Sequence, residues 1–92
     1  MNKYSETLKK IIKQFHNGDF ENIESAIWNA EQLLKEYNVK LAYVDKEYKN
    51  GLLGCVFYTD DDMWLAEGLL LKEGFIIQEN KNEVWITGIK QG

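Results

Sequence analysis

Residues Leu52 to Thr87 read LLGCVFYTDDDMWLAEGLLLKEGFIIQENKNEVWIT. An apolar run ends at Thr59 and three consecutive carboxylates, Asp60, Asp61 and Asp62. A strongly apolar segment follows, from Met63 to Lys72, and then two short runs, Phe75–Glu79 and Glu83–Thr87. Branched and aromatic side chains in short runs favour strands, and the longer segment has the length of a helix. The order predicts strand, helix, hairpin. Leu53, Cys55 and Phe57 would line one face of the first strand, with Leu52, Val56 and Tyr58 on the other. A strand without a polar face belongs in the middle of a sheet, covered on both sides. Thr59 or Asp60 is placed to cap the helix, which runs to about Glu73. Asp61 and Asp62 suit the positive end of its dipole. Gly74 supplies a left-handed stop. Asn80-Lys81-Asn82 predicts a three-residue hairpin loop with an Asn at positive φ.

Upstream of this stretch, Tyr4, Leu8, Ile11, Ile12 and Phe15 recur at helical spacing, with Lys9, Lys10 and Lys13 opposite them. Asn2 is a natural N-cap, and Asn17-Gly18 a natural stop. A second helix starts near Asp19 or Asn22. Its seam is Ile23, Ile27, Ala30, Leu34 and Tyr37, and Trp28 lies well off that seam. The short link predicts an antiparallel helical hairpin over residues 1–38. Leu41–Asp45 is a short strand candidate. The whole chain then reads as a single domain of α+β class: an N-terminal antiparallel helical hairpin followed by β-β-α-β-β over 41–89, with a small sheet covered by helices. The third helix has almost no polar face. It must be covered on two sides or complete its burial against a partner, and cover by the helical hairpin is the expected solution, with a dimer or complex interface as the other. Gly68 suggests tight helix packing there, Gly54 a bulge or close approach in its strand.

Ninety-two residues hold one modest core, burying roughly 60–65% of the unfolded surface. Twelve aromatic residues exclude a disordered chain. All eleven basic residues are Lys, against fifteen acids. Residues 1–40 balance six Lys with six acids, whereas residues 41–92 carry five Lys and nine acids. An acidic half without Arg is a poor ligand for nucleic acid, whose affinity comes from cationic contacts. One Cys excludes an internal disulfide and a cysteine-based zinc site. No signal-like segment and no run near ~20 apolar residues is present, so a cytoplasmic protein without a membrane span is expected.

No catalytic motif stands out, and neither a cofactor nor a metal is expected. Asp60, Asp61 and Asp62 diverge by ~100° each along a starting helix, so they do not converge on one ion. They read as a helix start and then as an acidic surface patch, with Glu67 one turn further on. His16 lacks companions at catalytic or metal-binding spacing. Cys55 sits in the most apolar strand, where a reactive thiolate has no support. Trp64 reads as core and Trp85 as packed on one sheet face. Trp28, beside Glu24, Glu31 and Gln32, reads either as a half-buried Trp covered by a loop or as an interface anchor.

The segment MWLAEGLLLKEGFIIQENKNEVWIT resembles, in its rhythm alone, the recognition helix and wing that close a winged-helix DNA-binding domain. That resemblance implies a DNA-reading third helix. Three Asp at its start and a single Lys within it oppose that role, and strands precede it where a helix and turn are needed. In size and composition, the chain is similar to phage-encoded antagonists of host machinery, such as anti-CRISPR and other anti-defence proteins, and to toxin-immunity proteins. This similarity implies a non-enzymatic protein-binding module. Its partner would be a basic protein surface, met by Asp60, Asp61, Asp62 and Glu67 with Trp28 as an apolar anchor.

Overall fold

Local signals set the helix ends in the computed structural model, which describes residues 2–91. Helix α1 spans Lys3–His16, and the Asn2 side chain accepts from the backbone N–H groups of Tyr4 and Ser5. Asn17 caps its C-terminus, and Gly18 follows at φ 83°. Helix α2 spans Ile23–Glu36, with Asn22 at its N-cap position but no side-chain capping bond. Asn38 ends that turn at φ 61°, a left-handed conformation that Asn tolerates.

Four strands follow: β1 (Leu41–Glu47), β2 (Leu52–Phe57), β3 (Phe75–Asn80) and β4 (Glu83–Ile89), with α3 (Asp60–Lys72) between β2 and β3. They form one antiparallel sheet in the order β1-β2-β4-β3. The protein is therefore α+β, with a helical hairpin preceding ββαββ. β2 does take a central place, and β1 and β3 are the edges. The β3–β4 loop is shorter than expected. Asn80 and Glu83 are paired strand residues, and Lys81 rather than an Asn takes the positive φ, at 55°.

All three helices feed one core. Leu8, Ile12 and Phe15 of α1, Ala30, Leu33 and Leu34 of α2, and Met63, Ala66 and Leu70 of α3 are buried with Leu53, Cys55, Phe57, Phe75, Val84 and Ile86 of the sheet. By the alternation of a strand, these sheet residues share one face. Val56 is also buried but stands outside that cluster. β2 is thus covered by helices on one side only, and the other side is roofed by the sheet's own side chains.

The helical hairpin reaches the sheet chiefly through α2 on β1 and α1 on β4, while α3 lies against β3. This placement corrects the expected cover of α3. The hairpin sits beside α3 in one helix layer, and Trp64, Leu65 and Leu71 remain 57%, 60% and 45% exposed. Trp64 is therefore not core. Gly68 is not a close-packing glycine either, since a Cβ there would meet nothing within 4 Å.

Candidate functional site

The strand register builds a second surface opposite the helices. Tyr43, Val56, Glu83 and Asn80 lie in one row across the sheet. Asp45, Gly54, Trp85 and Gln78 form the next, and Glu47 pairs with Leu52 in the row beyond. Side chains of such a row share a face. The resulting depression has a volume of about 450 Å³ and is lined by Asp45, Glu47, Leu52, Gln78, Glu79, Asn80, Glu83 and Trp85. Four of these eight residues are carboxylates and none is a cation, so the face attracts positive charge.

Trp85 lies at its centre because Gly54 leaves room. A Cβ on Gly54 would stand 2.5 Å from Cε2 of the Trp85 ring, which therefore rests directly on the β2 backbone. The Trp85 indole N–H donates to Oε1 of Glu83 at 3.0 Å. That bond fixes the ring and keeps one carboxylate beside it. The one Lys of β1 is drawn off to the helix side. Lys46 Nζ stands 2.9 Å from Oε1 of Glu24 on α2 and 4.9 Å from the centroid of the Tyr48 ring. Tyr43, Asp45 and Glu47 are exposed on the opposite side of the strand.

The acidic junction at the start of α3 is partly consumed by structure. The backbone N–H of Asp62 donates to Oγ1 of Thr59 at 3.2 Å, and the Thr59 hydroxyl donates to Oδ2 of Asp62 at 2.9 Å. Oδ1 of Asp62 also accepts from the backbone N–H of Lys40 at 3.2 Å, which ties α3 to the segment entering β1. Asp60 and Asp61 stay exposed. Glu67 turns toward Glu79 of β3. The side-chain hydrogen bond to Glu79, then burial and the Glu79 charge, raise the Glu67 carboxyl from 4.5 to about 7. Oε1 of Glu67 is buried and receives no hydrogen bond from any donor group. Protonation of Glu67 relieves the repulsion between the two carboxylates.

Trp28 belongs to the helical hairpin. It is 52% exposed and meets Tyr4 of α1 edge-on, with ring centroids 5.6 Å apart. Lys3, Tyr4, Thr7 and Asn29 line the hollow beside it, and no α3 residue does. The structure therefore does not join Trp28 with Asp60, Asp61, Asp62 and Glu67 into one lining. Cys55 is fully buried; desolvation, with a smaller push from Glu31, raises its thiol to about 12, so it stays protonated at neutral pH. His16 is exposed at the end of α1, beside Lys13, Ile89, Lys90 and Gln91. Among the described residues, no group of three or more His, Cys, Asp or Glu is placed to hold a metal ion. Nor, among them, is any helix long and apolar enough to cross a membrane.

Asp45, Glu47 and Glu83 are the residues that the sequence reading passed over. Their signal was present as alternation: Tyr43, Asp45 and Glu47 on one side of β1, with Glu83 and Trp85 two apart in β4. It is readable only once the strands are known to be neighbours through β2. No protein-family model, curated protein or solved structure matches this chain.

Proposed function

We propose that this protein is a non-enzymatic binding module that occupies a basic surface of another protein. The observation that carries this reading is the open sheet face, where Asp45, Glu47 and Glu83 surround Trp85 without an intervening cation in the lining. Carboxylates speed encounter with a basic surface and reject acidic ones. The half-buried indole and Leu52 supply an apolar centre, the arrangement in which interface energy concentrates. The exposed Asp60 and Asp61 add to the same field at longer range. A basic groove that handles nucleic acid is the natural target, and blocking it is the natural effect, as an antagonist of a defence or nucleic-acid enzyme would do. The start of α3 does not suit the alternative of DNA recognition: its exposed acids would repel phosphate.

The test is affinity capture from an extract of the organism's own cells. Wild type should retain a basic protein and release it as salt rises. A variant carrying Asp45→Asn, Glu47→Gln and Glu83→Gln should bind that protein at least ~10-fold more weakly, the equivalent of ~1.4 kcal/mol. A variant carrying Asp60→Asn and Asp61→Asn should lose far less. Equal retention by wild type and the open-face variant would remove the basis of the proposal, as would tight binding to duplex DNA.

A further inference from the structure

The side of α3 that faces away from the sheet has no cover among the described residues. Asp61, Trp64, Leu65, Gly68, Leu71 and Lys72 are exposed, whereas Met63, Ala66, Leu69 and Leu70 are buried. At ~100° per residue the six exposed positions fall in one stripe with Gly68 near its middle. The Gly costs the helix ~1 kcal/mol relative to Ala, and nothing within 4 Å of its Cβ position requires it. The two ends of the stripe carry opposite charges. Asp61 and Lys72 stand ~16 Å apart along the axis, and neither belongs to an ion pair among the described residues.

We propose that this stripe is a self-association face, packed antiparallel against the same stripe of a second copy across a two-fold axis. Reversing α3 about the midpoint between Leu65 and Gly68 brings Asp61 level with Lys72 of the other copy, and the symmetry repeats the pair. The same operation sets Leu65 of each copy over the gap at Gly68 of the other, a knob entering a hole. A parallel pairing would instead oppose Asp61 to Asp61. The charge pattern therefore selects a second copy in one orientation, and it gives the exposed glycine a use. One helix face buries less than the ~800 Å² per partner of a standard interface, so the dimer is weak and depends on concentration. The acid-lined sheet face lies on the other side of the molecule and stays free, so this association stands independently of the proposed partner.

Sedimentation equilibrium of the full chain tests it, over ~10 μM to ~1 mM, where a weak dimer forms. The average mass should rise from 10.8 kDa toward twice that value. Leu65→Lys alters an exposed side chain, leaves the core intact and should abolish the rise. Asp61→Lys and Lys72→Asp should each weaken association ~10-fold, and the double variant D61K/K72D should restore it to within ~3-fold of wild type. A constant monomer mass would overturn the proposal. So would an unaffected Leu65→Lys dimer, or a double variant no better than the single ones.

Discussion

Gly54 and Trp85 occupy one place on the open face, and residue 54 has no room for a side chain while the indole lies over it. A methyl at residue 54 would fall 2.5 Å from the indole, so the ring must leave the sheet. Gly54→Ala should cost ~1–2 kcal/mol, within the range for overpacking, read as a lower melting midpoint. In a Trp85→Ala background, the same change should cost far less, because the clash is gone. Equal costs in both backgrounds would contradict the close approach. Glu67 makes a second prediction at this scale. Its carboxyl is raised from 4.5 to about 7 in the folded protein, so folding favours its protonated form. That contribution is complete below pH ~4.5 and is lost as pH rises through ~7. Wild type should therefore lose stability between pH 5 and 8, and Glu67→Gln should flatten that loss, as measured by urea midpoints at the two pH values. Parallel pH profiles for the two proteins would show that the pair with Glu79 does not form.

The three Asp residues at the start of α3 are alike in sequence and unlike in use. Asp62 exchanges two hydrogen bonds with Thr59 and holds the N–H of Lys40, whereas within the fold Asp60 and Asp61 contribute charge at the helix start. Asp62→Ala should cost ~1–2 kcal/mol, as for loss of a cap and its bonds. Asp60→Ala and Asp61→Ala should each cost ~0.5 kcal/mol or less at an exposed helix start. Denaturation of the three variants checks this ranking, and equal costs would reduce the junction to simple electrostatics. Such starts and stops were legible in the sequence because they are local. Asn2, Thr59, Gly18 and Gly74 act within a few residues of themselves, and each does what its chemistry suggests. The surroundings of α3 were not legible. An apolar helix looks the same whether a hairpin covers it or lies beside it, so the sequence alone suggests for Trp64 and Gly68 a packing that the assembled fold does not provide. The open face was hidden for a related reason. Asp45 and Trp85 become neighbours only through Gly54 of β2, and pairing between distant strands is set by the assembled sheet.

At the scale of the whole molecule, the layers separate two kinds of surface. Helices cover one side of the sheet, and on that side lie the lysines that pair with acids among the described residues: Lys9 with Glu6 within α1, and Lys46 of β1 with Glu24 on α2. The other side keeps Asp45 and Glu47 exposed and Glu83 bonded to the indole of Trp85. This asymmetry is the physical basis for assigning partner binding to the sheet side and self-association to the outer side of α3. Amide chemical-shift mapping of the labelled protein, titrated with its captured basic partner, tests the assignment most directly. Perturbed amides should cluster in Tyr43–Glu47, Leu52–Val56 and Glu83–Thr87, and the effect should fade as salt is raised. Perturbations confined to α3 or to the helical hairpin around Trp28, with the open face unchanged, would contradict the assignment.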